Sequence, residues 1–466
     1  MKKLLFLLVL ILTITSLFSC GNKSENENNN ISNDINNKLE TSQGLEFKIN
    51  KDNQGYTLVG IGTCTDSDII IDKYNNLPIT YIEKNAFYEC DSIKSITFGD
   101  SITSIGENAF CACTQLSNIK FGNNLKKIND YAFRYCFNLT SVTIPESITQ
   151  IGKSAFDACP KLVEVINHSS LNIEKGSEDF GGIAYYALKV HTGKSEIDKK
   201  DDFIFYSYEN TNYLLGYTGD STILVLPQNY NNNPYEIYTY AFANQINIIS
   251  ITIPEGVTNI HDEAFMNSNR LFEVINKSSL NIEKGAETFG EIAKYAFKVH
   301  AGKSEIVNQN NYIFFADNGT NYLISYIGND KDIVLPEDYN GQTYEIYSRA
   351  FTLAPITNVT IPNTVTNIAE YAFIGSENLT TVTLGDGITQ IGKDAFVDCP
   401  KLTTVNFGTN LTNIGSSAFL NCTLLTDVSL PKSLTNIGSL AFSNCSSITS
   451  ITIPENVKLI KTLGFA

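Results

Sequence analysis

Ala-Phe pairs recur at a fixed spacing through most of the chain, and this spacing limits the folds that the sequence can adopt. Within each of three groups the phenylalanines lie 23 residues apart. A period of this length predicts a solenoid, in which each repeat forms one coil and contacts only its neighbours. The groups are Phe87, Phe110, Phe133 and Phe156; Phe242 and Phe265; and Phe373, Phe396, Phe419 and Phe442.

One repeat, residues 139–156, reads LTSVTIPESITQIGKSAF. Val142 and Ile144 alternate with polar residues, as a half-buried strand requires. Pro145 ends that strand because proline cannot donate to a strand ladder. A second short extended segment, ITQI, follows, and Phe156 is predicted to fill the interior of the coil. Each repeat is therefore expected to supply two short strands and one aromatic core residue.

These features resemble a leucine-rich repeat and, more narrowly, the BspA-type class of bacterial repeats with a 23-residue period. The resemblance extends from about Leu45 to the end of the chain. It implies a repeat solenoid with short parallel strands. It also implies a surface protein that adheres to host extracellular proteins or to neighbouring cells.

The repeats are interrupted twice by a segment that is itself duplicated. The segment that starts at Val165 reappears at Val274, 109 residues later, and each copy leads into a Tyr-rich stretch. A weaker third copy starts at Gly55. Because the end of a solenoid exposes an apolar coil, we expect strand-rich capping modules to begin three arrays.

The domain boundaries follow from these repeats and interruptions. The predicted segments are a signal peptide at 1–19, a lipidated cysteine with a disordered Asn-rich tether at 20–44, a capping module with the first array at 45–166, a connector at 167–202, a capping module with a short second array at 203–275, a connector at 276–311, and a capping module with the third array at 312–466.

The N-terminus predicts export. Lys2 and Lys3 precede an apolar run at 4–17 that is too short for a stable membrane span. The following LFSC resembles the lipobox of bacterial lipoproteins, which implies that Cys20 carries the lipid and that the protein is anchored to the cell envelope, on its outer surface. A plain secretory signal with a chance cysteine is the alternative. Residues 21–44 are rich in Asn and Glu, which predicts a flexible tether.

No residues with the spacing of a catalytic or metal site stand out, so no enzyme activity and no cofactor are predicted. Seven cysteines, from Cys90 to Cys445, follow the same 23-residue step, which lines up one thiol per coil instead of converging ligands. His191 and His300 occupy equivalent positions in the duplicated segments, and the sequence shows no partner carboxylate at triad spacing. An enzyme with a site in these connectors remains an alternative.

A surface is the remaining candidate for function. If Val142 and Ile144 point inward, their strand neighbours point outward and form rows of hydroxyl and amide groups. Threonine also simply suits an exposed strand position, which is the competing interpretation. The predicted binding surface contains Ser141, Thr143, Asn358, Thr360, Thr381, Thr383, Thr404 and Asn406.

The net charge of the chain limits the classes of molecule that it is expected to bind. The formal net charge is -16, and no cluster of Lys and Arg stands out along the chain. Nucleic acid is therefore a poor partner, because phosphate binding requires a concentrated basic patch. The expected partners are protein ligands, such as host extracellular matrix or cell-surface proteins, and the membrane through the N-terminal lipid. A passive structural lipoprotein of the envelope is the alternative function.

Overall fold

The computed structural model describes residues 40–352 and 354–465. Two compact units divide the chain, the first ending at Gly302 and the second beginning at Lys303. We refer to them as unit 1 and unit 2. The signal peptide, Cys20 and the tether as far as residue 39 lie outside the described residues.

Short strands make up most of the regular structure of unit 1. Two single helical turns, α1 (Asp179–Gly182) and the 3-10 turn η1 (Phe289–Glu291), lie in the duplicated connectors. The strands are β1 (Glu46–Ile49), β2 (Tyr56–Gly60), β3 (Asp68–Ile71), β4 (Lys73–Tyr74), β5 (Leu77–Ile82), β6 (Ser95–Phe98), β7 (Ser104–Ile105), β8 (Asn118–Lys120), β9 (Lys127–Ile128), β10 (Ser141–Ile144), β11 (Gln150–Ile151), β12 (Glu164–Asn167), β13 (Lys189–His191), β14 (Asp198–Lys200), β15 (Phe203–Tyr208), β16 (Thr211–Tyr217), β17 (Ile223–Val225), β18 (Tyr235–Ile237), β19 (Ser250–Ile253), β20 (Val257–Ile260), β21 (Glu273–Asn276) and β22 (Lys298–His300).

Each coil contributes one strand to each of two parallel sheets. In the first array one sheet contains β3, β6 and β8 and continues in the group β10, β12 and β13, and the other contains β2, β5, β7, β9 and β11. The register places Val142 beside Val165 and Ile105 beside Ile128. We call the first the polar sheet, because its outward residues include Ser95, and the other the second sheet. The parallel pairing confirms the predicted solenoid.

A column of phenylalanine rings runs through the first array. The rings of Phe87, Phe110, Phe133 and Phe156 are fully buried, and successive centroids lie 4.8, 5.2 and 5.3 Å apart with nearly parallel planes. The backbone N–H of Phe110 donates to the carbonyl of Ala132 at 2.7 Å, and the same bond recurs along the column. Ring stacking and hydrogen bonding thus share the spacing of about 4.8 Å between neighbouring strands.

Left-handed residues make the turns on both sides of each phenylalanine. Tyr131 and Tyr135, two residues before and after Phe133, have φ of 59° and 63°. Asn and Asp tolerate this conformation best among residues with a side chain. They occupy the equivalent positions in many coils, at Asn85, Asn108, Asn244, Asn267, Asp394, Asp398, Asn421 and Asn444.

Strands begin each array, as the sequence predicts, and the structure shows that they are antiparallel. β1 pairs with β2, and β14, β15 and β16 form an antiparallel sheet. β2 and β16 then pair in parallel with β5 and β18, which are the next strands of the same sheets. The last strand of each hairpin, β2 or β16, therefore has an antiparallel partner on one side and a parallel partner on the other.

The first connector also packs against the last coil of the first array. The carbonyl of Gly181 accepts the N–H of Phe156 at 2.9 Å, in the place of the alanine of a further coil. Gly181 has φ of +70°, and Ile183 and Ala184 are buried in the core of the first array. The connector therefore closes the end of the first array.

Unit 2 repeats the same design. Its polar sheet contains β26, β28, β30, β32 and β34, and the rings from Phe351 to Phe465 stack at 4.5–5.2 Å. The strands are β23 (Val307–Gln309), β24 (Tyr312–Asp317), β25 (Thr320–Tyr326), β26 (Asp332–Val334), β27 (Tyr344–Ile346), β28 (Asn358–Ile361), β29 (Val365–Ile368), β30 (Thr381–Leu384), β31 (Gln390–Ile391), β32 (Thr404–Asn406), β33 (Asn413–Ile414), β34 (Asp427–Val428), β35 (Asn436–Ile437) and β36 (Leu459–Ile460).

Candidate binding surface

The polar sheet of unit 2 carries two parallel rows of outward side chains. The inner residues of the same strands, Val359, Val382 and Val405, are buried. Each row advances one strand per coil, because β28, β30 and β32 pair in register. One row is Asn358, Thr381 and Thr404, which are half-buried, and the other is Thr360, Thr383 and Asn406, of which Thr383 is half-buried and the others are exposed.

Hydrogen bonds between neighbouring coils orient the amides of these rows. Asn406 donates from Nδ2 to Oγ1 of Thr383 at 3.1 Å, and Asn358 donates to a carboxylate oxygen of Asp332. Thr380 donates to Oδ1 of Asn358 at 3.0 Å. The surface on β28, β30 and β32 is thus regular and able to donate and accept hydrogen bonds, and the carboxylate of Asp332 borders it.

The polar sheet of the first array ends differently. On β10, Ser141 is half-buried and Thr143 is exposed. The next strand aligns Glu164 with Ser141, and this carboxylate is fully buried. The strands that follow the connector cover this end, since Val163 and Tyr206 belong to one buried apolar cluster with residues of β15 and β16. The polar face therefore stops at β10 in this array.

Glu164 bonds to three residues of the segment 191–196, which reads HTGKSE. Its Oε1 lies 3.1 Å from Nε2 of His191 and accepts the N–H of Glu196 at 2.8 Å, and its Oε2 accepts the hydroxyl of Ser195 at 2.5 Å. The prediction that His191 has no carboxylate partner is wrong. The two residues are 27 apart in sequence, and the parallel pairing of β12 with β13 brings them together.

The duplicated segment repeats this pair. Nε2 of His300 lies 3.1 Å from Oε1 of the fully buried Glu273. Here Ser250, on the preceding strand of the polar sheet, donates to Oε2 of Glu273 at 2.6 Å. A buried carboxylate with a histidine on the next strand is thus a shared feature of both connectors.

The hydrogen bonds around His191 do not follow the pattern of a nucleophilic triad. The N–H of Gly193 donates to Nδ1 of His191 at 3.0 Å, so Nε2 carries the proton that faces Glu164. A triad needs the serine hydroxyl to donate to the histidine. The hydroxyl of Ser195 instead donates to the carboxylate. The cluster holds the turn at 192–196 on the end of the polar sheet.

The cysteines of the ladder donate to backbone carbonyls. Sγ of Cys113, Cys136 and Cys159 lies 3.1–3.4 Å from the carbonyl of a phenylalanine 26 residues earlier. Ser268 makes the same bond to Phe242 at 2.7 Å. Burial raises the pKa of the Cys136 thiol well above its usual value, which keeps it protonated. The described residues contain no group of three or more His, Cys, Asp and Glu placed to hold a metal ion.

The profile of the BspA type leucine rich repeat region matches residues 74–211, 235–317 and 344–466, in six copies. The chain belongs to the BspA-type leucine-rich repeat family. A chain of this family is a protein-interaction repeat protein. No curated protein matches the sequence.

Three solved structures similar to this BspA-type chain are bacterial leucine-rich repeat proteins. A protein from Bacteroides capillosus is 29% identical and covers 28% of this chain and 99% of its own, with a TM-score of 0.25. One from Eubacterium ventriosum is 17% identical over 92% of this chain and 93% of its own, with a TM-score of 0.28. A leucine rich cell surface protein from Faecalibacterium prausnitzii is 20% identical over 89% and 94%, with a TM-score of 0.24.

The two BspA-type arrays of unit 1 meet at a seam that buries a lysine. Lys161 is 5% exposed, and its Nζ donates to Oδ1 of Asn138 at 2.6 Å. Burial lowers the pKa of Lys161 to about 7. Its counterpart Lys401 makes the same bond, to Asn378 at 3.0 Å, but is exposed. The same hydrogen bond is therefore buried at Lys161 and exposed to solvent at Lys401.

Sequence reasoning missed the buried glutamates, although a signal was present. Both interruptions begin with EVIN, which places the longer Glu side chain where other strands carry Ser, Thr, Asn or Asp. The burial of Lys161 gives no such signal, because the CPKL around it recurs at Lys401. Among the residues that the structure describes, none forms a helix with the length and apolar character that crossing a bilayer requires.

Proposed function

We propose that this chain is a non-catalytic surface lipoprotein that binds proteins of host or neighbouring cells through the polar sheet of unit 2. One observation carries the proposal. Thr360, Thr383 and Asn406 form an open, uncharged row on three paired strands, and the core packing requires none of these side chains. A surface maintained over several coils suits a partner that docks across it.

The chemistry of the row defines the kind of contact. Each threonine offers a hydroxyl and a methyl group, so the sheet can pair with backbone and side-chain polar groups while it buries apolar area. Interfaces usually draw most of their affinity from a few Tyr, Trp or Arg anchors, and these rows contain none. We therefore expect affinity to come from a broad contact, on the order of 800 Å² on each partner.

The N-terminus supports display on the cell envelope. In this proposal Cys20 carries acyl chains, and the Asn-rich tether that follows holds the folded units away from the bilayer. Each buried methylene contributes about 0.8 kcal/mol, so that several chains together give a lasting anchor.

The lipid and the folded units have separable roles in this proposal. We expect the full chain to bind immobilised matrix proteins, mucins or whole cells in a saturable manner, and a Cys20→Ala chain to bind equally well. Binding that requires the acyl chains would contradict the proposal. Saturable binding to none of these surfaces would instead favour a passive envelope role.

The position of the binding surface has its own test. Thr381→Lys combined with Thr383→Lys places two ammonium groups on the polar sheet, and we expect at least a tenfold loss of affinity. Gln390→Lys is the matched control, because Gln390 is an exposed strand residue of the second sheet in the same repeat. Equal losses in both variants would show that charge alone, and not the polar sheet, governs binding.

A further inference from the structure

The first array shows how the outer edge of a polar sheet can be covered. Ser42 donates its N–H to the carbonyl of Ile70 at 2.9 Å, and its Oγ accepts the N–H of Ile70 at 3.1 Å. Oγ1 of Thr41 accepts the N–H groups of Asp72 and Lys73, both at 3.0 Å. Ser42 thus satisfies the outward N–H and C=O of Ile70 in β3, and Thr41 satisfies two N–H groups that directly follow this strand.

The second array begins its polar sheet with an equivalent strand, β17. Val225 pairs with Thr252 as Ile70 pairs with Thr97, so Val225 takes the place of Ile70. Thr222 accepts the N–H of Ser250, and Leu226 donates to Thr252. Because alternate residues of a parallel strand bond to opposite sides, the N–H and C=O groups of Ile223 and Val225 face away from the sheet.

Within the described chain, no segment covers the outer edge of β17 as Thr41 and Ser42 cover β3. The side chains of Ile223 and Val225 are 41% and 64% exposed. Natural proteins usually protect such edges with charge, proline or a covering segment. Among the described residues, the outer edge of β17 has none of these three forms of protection, and it exposes two β-branched residues beside its outward backbone groups.

Unit 2 contains the same strand with a partial cover. Val334, the counterpart of Val225, is 69% exposed, and its carbonyl accepts the hydroxyl of Tyr312 at 3.2 Å. The residue equivalent to Tyr312 in the second array is Phe203, which has no hydroxyl. The edge of β17 is therefore the more open of the two.

We propose that the outer edge of β17 binds an extended segment of a second polypeptide as an added strand. The segment that covers β3 indicates the chemistry of the occupant. Thr41 and Ser42 run antiparallel to Ile70 and Asp72 and carry adjacent hydroxyls. The occupant is thus an extended segment in which the N–H and the hydroxyl of a serine or threonine pair with the C=O and N–H of Val225, as those of Ser42 pair with Ile70. This goes beyond the proposed function, because it assigns a separate contact to unit 1 and does not depend on the rows of unit 2.

A peptide with the sequence of residues 40–46, ETSQGLE, tests the edge. With the full chain and millimolar peptide, we expect amide hydrogen exchange at Ile223 and Val225, whose N–H groups face away from the sheet, to slow at least tenfold. The same peptide N-methylated at Ser42 cannot donate that N–H, and we expect no slowing. No effect of the unmodified peptide, or equal slowing by both peptides, would overturn the proposal.

A chain variant gives an independent check. In Val225→Pro the missing N–H lies on the open side, so the bonds between β17 and β19 remain, and we expect the peptide to lose its effect. The variant leaves Thr381 and Thr383 unchanged, so binding through the polar sheet of unit 2 should persist even where edge binding fails. Slow exchange at both Ile223 and Val225 in the free natural chain at every concentration would overturn the proposal, because the edge would already be covered. Slowing that grows with chain concentration would support edge binding, with a second copy as the occupant.

Discussion

Single residues show what each coil demands of its sequence. The position three residues after the core phenylalanine holds Cys in some coils and Ser268 in another, and each donates to a buried carbonyl of the preceding coil. The position thus favours a small side chain that can donate, although Ser376 fills it in unit 2 without a hydrogen-bond partner and Ala354 has no donor. The spacing of the cysteines predicted their alignment, but the hydrogen bond could not be seen without the coordinates.

Substitution of one cysteine tests this preference. Cys422→Ser keeps a donor for the carbonyl of Phe396, whereas Cys422→Val leaves that carbonyl without one. An unsatisfied buried acceptor costs about 1–3 kcal/mol, so we expect Val to lower the free energy of unfolding by about that much more than Ser. Urea denaturation followed by circular dichroism measures both. Equal stability of the two variants would show that the thiol only fills space.

Lys161 couples the stability of unit 1 to pH. Its pKa is about 7 in the folded chain and about 10.5 when unfolded. Between these values the unfolded chain holds a proton that the folded chain has lost, so stability rises with pH through this window. Below pH 7 both states are charged, and the burial penalty is present in full.

Lys161→Met should remove this dependence. At pH 7 we expect the variant to be more stable than the natural chain by about 2 kcal/mol, with the difference shrinking toward pH 10. Lys401→Met is the control, because Lys401 makes the same bond while exposed, and it should show no such trend. Thermal denaturation at several pH values measures both. A constant difference between pH 6 and 10 would contradict the burial of Lys161.

At the scale of elements, the ends of arrays need devices that the repeat itself does not contain. Gly181 occupies the position that an alanine occupies in a further coil. Its backbone is left-handed, and its carbonyl accepts the N–H of Phe156. The sequence predicted a connector here and not a cap, because a segment without the 23-residue motif gives no sign that it extends the stack. Repeat periodicity predicts the middle of an array better than its end.

Alanine substitutions at two neighbouring glycines distinguish the cost of backbone strain from the cost of a steric clash. A Cβ on Gly181 would lie 2.4 Å from the carbonyl oxygen of Gly152, whereas one on Gly182 would meet nothing closer than 3.8 Å. Both have positive φ, so both alanine variants are strained, by about 1 kcal/mol. We expect Gly181→Ala to cost about 2 kcal/mol beyond that, measured by urea denaturation. Similar losses for both would mean that the connector does not pack as a coil.

The buried carboxylate of the connector has a testable structural role. Glu164→Ala removes the acceptor for His191, Ser195 and the N–H of Glu196. We expect amide exchange at residues 192–196 to speed up by at least tenfold, while Glu174→Ala, an exposed carboxylate of the same connector, changes little. Hydrogen exchange with mass spectrometry measures this. Unchanged exchange in Glu164→Ala would show that other contacts hold the turn.

At the scale of the whole molecule, duplication explains most of what could be predicted from the sequence. The 23-residue period indicated the inward strand residues and the phenylalanine column, since one coil repeated in register must bury equivalent positions. Lys161 and Glu164 could not be assigned in this way. Glu164 is bonded by residues 191–196 of the connector, and Lys161 lies beside β16, where a Cβ on Gly216 would be 3.7 Å from its Nζ. Neither segment repeats the motif of the coils.

Hydrogen exchange of the full chain, free and bound to the cell-surface or matrix protein that gives the strongest saturable binding, tests the central claim most directly. The account predicts slower exchange on β28, β30 and β32, with β29, β31 and β33 of the second sheet unchanged. Protection confined to the second sheet or to the connectors at 167–202 and 276–311 would contradict it.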